Sequence, residues 1–264
     1  MAKTLTGLTP SREQQYRARI LERQARATEG RYAREIARAM RELAKASGNV
    51  GKQAAVMQSH REKLAALLDK QYVTAFDFFG GRVLSEAPKH HDHLLNTKDI
   101  ISYDANRLAW ITANVARKVT EISGTTKAQA TSIIQSVLSE QVVAGAASQA
   151  STSAAIIAAM REKGGSLARY RSRVIARTEA HASAGAANEA AAASLGIPLK
   201  KEWVAARQAG RTRDDHLDAD GQVVALDQPF IVGGERLMYP SDPSGSPENV
   251  INCRCSSVHI VIDD

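Results

Sequence analysis

Val250-Ile251-Asn252-Cys253-Arg254-Cys255-Ser256-Ser257-Val258-His259-Ile260-Val261-Ile262 is the stretch on which the fold class turns. Val258, Ile260 and Ile262 recur at period two, which predicts a strand over 250–262 with Cys253, Cys255, Ser257 and His259 sharing the opposite face. A strand here, after a long helical approach, makes the chain α+β. Both cysteines of the protein fall in this stretch. Residues two apart on a strand are about 6.6 Å apart at Cα, close to the upper limit for a disulfide, so a bridge between them would be strained. Three readings fit: small part-buried packing residues, a zinc clip, or a redox or intermolecular role.

Working back from the terminal strand, Glu202-Trp203-Val204-Ala205, Gly221-Gln222-Val223-Val224 and Pro229-Phe230-Ile231-Val232 read as short strands between glycine- and aspartate-rich turns. A helix over 166–194, stopped by Gly196-Ile197-Pro198, precedes them, so residues 166–264 are expected to form an α+β module: one helix on a small antiparallel sheet. Residues 1–165 read as long helices. The first, Ser11 to Ser47, carries the thin stripe Tyr32, Ile36, Met40 and Leu43, with arginines over most of the remaining surface. So thin a stripe predicts a helix that docks on partners and gains order in doing so. Ser47-Gly48-Asn49 supplies its stop. A second helix from about Lys52 to Phe79 is expected to end at Gly80-Gly81, followed by a polar loop holding Pro88 and His90-His91-Asp92-His93, a weak candidate for metal. A third runs from Asp99 to Ile122, with a break expected at Ser123-Gly124-Thr125 before helix resumes at Thr126, and Gly164-Gly165 closes the bundle.

The net charge of +7 is unevenly spread. Residues 1–70 hold 15 Lys and Arg against 7 Asp and Glu, whereas residues 196–264 hold 7 against 11. A basic arm joined to an acidic end suggests that the arm meets a polyanion or an acidic protein surface, the plain alternative being a solvated, salt-bridged helix. With 264 residues and two cysteines, the chain does not resemble a disulfide-built secreted scaffold. Met1 to Pro10 lacks a signal-like apolar run, and no stretch has the composition of a membrane span, so folding in a cytoplasm and no membrane partner are expected.

From residue 177 onward the order of unusual residues is Arg177-Thr178-Glu179 on a helix, Trp203, Arg213-Asp214-Asp215-His216, Asp220-Gly221, Phe230, Tyr239-Pro240-Ser241-Asp242-Pro243, Glu248-Asn249 and Asn252-Cys253-Arg254-Cys255. This order resembles the phage Mu F-like minor head protein family over the last third of the chain. The resemblance implies a virion protein of a tailed phage or prophage, also called a head morphogenesis protein. Such a protein is assembled in the host cytoplasm and sits in the capsid near the portal vertex, with the portal protein and major capsid protein as partners. It implies no enzyme. Related modules are sometimes fused to toxin domains; no residue follows Asp264, so no toxin cargo is expected.

These residues also have readings independent of the resemblance. Arg177 and Glu179, two apart on a helix, cannot pair with each other across its face, so both are expected to fix the helix to the sheet, Glu179 with Arg254 as a candidate partner. Trp203 and Phe230 are candidate core anchors. His216 with Cys253, Cys255 and either His259 or Asp220 would complete a zinc set; alternatively, His216 bonds a turn carbonyl within Thr212 to Gly221. Two other functions stay open. Arg31, Arg34 and Arg38 could touch packaged double-stranded DNA without reading its sequence. A zinc-dependent hydrolase would need an open metal position and a base such as Glu248 or Asp218, but none of the usual catalytic motifs accompanies these residues.

Overall fold

The computed structural model describes residues 4–90, 95–143, 149–207 and 210–262. Long helices run to Ser194 and small antiparallel sheets follow. Helix α1 is Pro10–Lys45, α2 Val50–Ala75, α3 Gly81–His90, α4 Thr97–Val143, α5 Gln149–Ala159 and α6 Gly165–Ser194. The C-terminal part contains β1 Leu199–Val204, α7 Asp214–Asp218, β2 Val223–Ala225, β3 Phe230–Val232, β4 Glu235–Leu237, α8 Pro247–Val250 and β5 Ser256–Val261. Among the described residues no helix is long and apolar enough to cross a membrane.

The stop after α1 forms as expected. Gly48 takes φ +83°, a conformation that glycine adopts without steric cost, and the Asn49 side chain caps α2 by accepting the Lys52 N–H at 2.9 Å. Three other glycine signals do not end helices. At Gly80-Gly81 a π turn over Phe76–Gly80 leads straight into α3. The Phe76 carbonyl accepts the Tyr103 hydroxyl at 2.6 Å, and a Cβ on Gly80 would stand 2.0 Å from that hydroxyl. The glycine is there for close approach, not for chain reversal. Met160–Gly164 forms a second π turn that feeds directly into α6. At 123–125 the helix does not break, and α4 runs unbroken for 47 residues. Ser123, Thr125 and Thr126 bond back to the carbonyls of Thr120, Glu121 and Ile122, so their hydroxyls decorate the helix, and a lone interior glycine costs only about 1 kcal/mol. The loop expected after Gly81 is therefore largely helix α3, which buries Val83 and Ala87 and carries Pro88 in its last turn. His90 closes it; His91 to His93 lie outside the described residues.

The chain divides into two compact units. Unit 1 comprises Met1–Ala25, Lys70–Thr112 and Arg177–Asp264; unit 2 comprises Arg26–Asp69 and Ala113–Ala176. Helices α1, α2, α4 and α6 each contribute residues to both. The described core of unit 2 is helical. Tyr32, Ile36, Met40 and Leu43 of α1 are buried there, as are Leu64 and Leu68 of α2, Ile133 and Val137 of α4, and Met160. The thin stripe of α1 thus belongs to the chain's own core and does not wait for a partner, which corrects the docking expectation. A stripe one residue wide is enough when the facing helices supply leucines.

Unit 1 holds the sheets. Its three-stranded sheet has the order β2-β1-β5, all antiparallel, with Lys201 opposite His259 and Trp203 opposite Ser257. Strands β3 and β4 form a hairpin whose Gly233-Gly234 turn has φ of +55° and +79°, as a tight two-residue turn of this hand requires. Thr4 bridges Ile260, so the beginning of the chain covers the free edge of β5. Ala180, Ala184, Ala187 and Ala191, at spacings of three and four, give α6 a buried small-residue stripe. Gly185 extends the close approach, because a Cβ there would stand 2.6 Å from the Tyr239 ring. The terminal strand is shorter than its periodicity suggests: α8 and an irregular segment precede it, and pairing begins only at Ser256.

Candidate functional site

The Arg-Thr-Glu run of α6 sets the position of the segment that carries the cysteines. Asn252 has φ +59°, and its N–H donates to Thr178 Oγ1 at 3.1 Å while its side-chain oxygen accepts from Arg177 at 3.3 Å. Asparagine is one of the few residues that tolerate this conformation, and two contacts from one helical turn hold it. Glu179 is buried and accepts the Tyr72 hydroxyl at 2.5 Å, and the charged groups acting on Arg254 include Arg177, Arg211, Glu22 and Cys253.

Beyond Asn252 the two cysteines turn inward against His216, which α7 presents from the other side. His216 Nδ1 stands 3.6 Å from Cys253 Sγ and 3.5 Å from Cys255 Sγ, and the three ligand atoms lie within 4.8 Å of one another. All three residues are buried. The His216 side chain bonds no turn carbonyl among the described residues; its Nε2 is buried without a hydrogen-bond partner, and its ring meets Trp203 edge to face at 5.6 Å. Trp203 in turn packs on Phe230 at 5.4 Å, and both are fully buried, as expected of anchors. A small cleft, with room for about one water molecule, reaches the cluster and is also lined by Arg211, Thr212, Arg213 and Arg254.

Hydrogen bonding between the two thiols makes them unequal. The hydrogen bond from Cys255 holds the Cys253 thiol well below its usual pKa against the effect of burial, with His216 adding to the shift. Cys255 is pushed up, first because its proton is engaged by Cys253 and then by burial; the Ala206 N–H and the Trp203 indole act in the opposite sense. Nearby His181 is driven down to about 4, chiefly by burial and further by Arg17, Arg177 and Arg254, while Cys253 opposes the shift, so its imidazole is neutral at physiological pH. Nothing in its helical context distinguished His181 in the sequence.

Two other proposed ligands stand apart from the cluster. His259 Nε2 lies 3.0 Å from Glu189, a carboxylate that also takes Lys201 Nζ at 2.5 Å. Lys201, fully buried on β1, donates as well to the Met238 carbonyl at 2.8 Å. Asp220 accepts the Ala205 N–H at 2.7 Å and is paired with Arg207, and Gly221, at φ +79°, turns the chain back so that its N–H reaches the Trp203 carbonyl. The Tyr239-Pro240-Ser241-Asp242 turn is likewise built inward. Tyr239 Oη accepts the Trp110 indole N–H at 2.9 Å, the Pro240 carbonyl lies against Gly185, and Asp242 accepts the N–H groups of Met238 and Ser244.

On α1, Arg17 is buried and donates to the Ser257 carbonyl at 2.5 Å, its pKa lowered to about 10 by burial. Arg38 is tied to Glu35 at 2.6 Å, whereas Arg31 and Arg34 are exposed without an ion-pair partner among the described residues.

Residues 132–258 match the family described as Phage Mu protein F like protein. The chain carries a Phage Mu protein F-like domain. The match begins inside α4 and takes in α6, both sheets and the cysteine segment. The family is one of structural phage proteins and points to head morphogenesis. The chain is also similar to an uncharacterized protein, YqbB, of Bacillus subtilis (strain 168), with 36% identity over 93 residues. That alignment covers 33% of this chain and 30% of the relative, so the chain spans under a third of the relative's length. No solved structure matches the chain.

Proposed function

We propose that this protein is a minor head protein of a tailed phage or prophage that binds the portal protein and neighbouring major capsid protein while the head assembles and DNA is packaged. The family domain over residues 132–258 carries this reading. Residues 166–264 serve as the Mu F-like module, and residues 1–165 supply the docking faces. Those faces are not the stripe of α1, which is internal, but the apolar side chains left outside: Ile101 and Leu108, two turns apart on α4, are 63% and 68% exposed. Exposed apolar pairs of this kind suit a protein partner more than solvent. The virion is the corresponding location. The test is co-purification of portal and full-length protein at high salt, expected to persist for the native chain and to be lost in Leu108→Asp. Portal that fails to retain the native chain, together with assembled particles that lack the protein, would overturn the reading.

A second, compatible reading is supported by the two exposed arginines. Arg31 and Arg34 could neutralise phosphates of packaged DNA without reading its sequence, and Arg38 contributes less because Glu35 already holds it. Retention on DNA should then fall steeply with salt and with charge reversal of Arg31 and Arg34 together.

A further inference from the structure

We propose that His216 Nδ1, Cys253 Sγ and Cys255 Sγ bind one zinc ion, leaving the fourth position to a solvent oxygen from the arginine-lined pocket. The inference rests on the cluster's geometry and stands or falls separately from the assembly reading. Zinc–sulfur and zinc–imidazole bonds of roughly 2.3 and 2.05 Å at tetrahedral angles place sulfur and nitrogen roughly 3.6 Å apart. The observed separations are 3.6 and 3.5 Å, so both sulfur–nitrogen edges of that tetrahedron already exist. One ring nitrogen faces two sulfurs at once; a single hydrogen shared between them would give two weak, bent bonds, whereas a cation engages all three atoms directly.

Ligand chemistry selects the metal. Two thiolates and an imidazole are a soft, nitrogen-containing set, which favours zinc over magnesium or calcium, and two thiolates neutralise a divalent ion without help from the arginines. The ion would join α7 to the segment before β5, thirty-odd residues away, beside the apolar cluster of Trp203, Phe230, Val232 and Leu237 that includes both cysteines. His259 and Asp220 are engaged elsewhere, and no fourth His, Cys, Asp or Glu joins the group among the described residues. The fourth ligand therefore comes from the cleft, which Arg211, Arg213 and Arg254 also line.

The experiment uses the full chain, purified without chelator and then dialysed against excess zinc, with bound metal measured by mass spectrometry. About one zinc per chain is expected, and replacing it by cobalt should produce a thiolate-to-cobalt charge-transfer band with tetrahedral ligand-field absorption. Cys253→Ser, Cys255→Ser and His216→Ala should each lower zinc affinity by at least about tenfold, whereas His259→Gln should leave the stoichiometry unchanged. If the cysteine variants do not fold, metal content and the cobalt spectrum of the native chain decide the matter alone. The inference fails if the native chain holds no stoichiometric zinc after loading, if its thiols react at the same rate with and without zinc, or if mass spectrometry finds them joined as a disulfide.

Discussion

Unit 1 and unit 2 draw on the same four long helices but are held together by different means. The described core of unit 2 is leucine, isoleucine, valine, methionine and alanine with Tyr32, mostly from helices, and its buried polar groups pair within those helices: Glu35 accepts from Arg38 and contacts His60 at 2.9 Å, and Arg171 donates to Thr126 at 3.0 Å. Unit 1 buries charged groups as well. Lys201 and His259 on the sheet, Glu189 and His181 on α6 and Arg17 on α1 are buried or nearly so, in a unit whose strand pairing is non-local. A helical unit tolerates loss of a polar contact because its backbone is satisfied locally, whereas unit 1 has its charges interlocked with tertiary structure. The family domain reaches into both units, but the cysteine cluster is confined to unit 1.

The contrast is broken most directly at Trp203. Trp203→Ala removes a side chain with no exposed surface and should cost about 3–5 kcal/mol. Both tryptophans lie in unit 1, so tryptophan fluorescence in a urea titration reports that unit, while hydrogen exchange on residues 113–143 reports unit 2. The early loss should appear in Trp110 fluorescence; exchange in 113–143 rising by the same factor would show that the units share one stability. Lys201→Met comes next. It leaves Glu189 buried beside His259 without its ammonium and should destabilise unit 1 by about 3 kcal/mol. Adding Glu189→Gln should recover part of that loss, and a double variant no better than Lys201→Met would mean that the buried carboxylate is not the cause.

Lys201 also shows where sequence reading stops. A lysine next to Lys200 on a strand reads as solvent-facing, and its two acceptors lie on α6 and at Met238, which no period in the strand reveals. The long helices, the change of texture after Ser194 and the burial of Trp203 and Phe230 were legible because each rests on a local period or on a side chain too large to leave outside. Convergence of His216 with Cys253 and Cys255 was legible from residue type; the place of His259 was not, because extending the strand back to Val250 put it on the cysteines' face when the strand begins only at Ser256. The glycine pairs misled for a related reason. Gly80 is small because Tyr103 needs its space, and a sequence shows a missing side chain without showing what fills the gap.

Acidification should separate the units in a defined order. His181, whose folded pKa is about 4 against an ordinary 6.5, refuses a proton that the unfolded chain accepts, so its contribution to unit 1 is intact above about pH 6.5 and is lost as pH falls toward 4. Glu35 is raised by burial but lowered further by its hydrogen bonds to His60 and Arg38, to about 2 from 4.5. Its contribution to unit 2 is present above about pH 4.5 and disappears only as pH approaches 2. Each effect is on the order of 1–2 kcal/mol after screening. Between pH 6 and 5 the midpoint seen by tryptophan should move before helical exchange in unit 2 does, and His181→Asn should flatten that movement. Equal sensitivity of both probes across this interval would contradict the assignment.

The smallest expected effect reverses the usual sign. A Cβ on Gly124 meets nothing within 4 Å, and the residue sits well inside α4 with ordinary helical backbone, so Gly124→Ala should stabilise unit 2 by about 0.5–1 kcal/mol by restricting the unfolded chain. The same exchange at Gly80, in unit 1, drives a methyl group into the Tyr103 hydroxyl and disrupts the bond that occupies the Phe76 carbonyl, so it should destabilise. Thermal melts of the two variants therefore test whether the glycines differ in what surrounds them. If Gly124→Ala lowered the melting temperature, α4 would need flexibility at that point, and the break suggested by Ser123-Gly124-Thr125 would be real in solution.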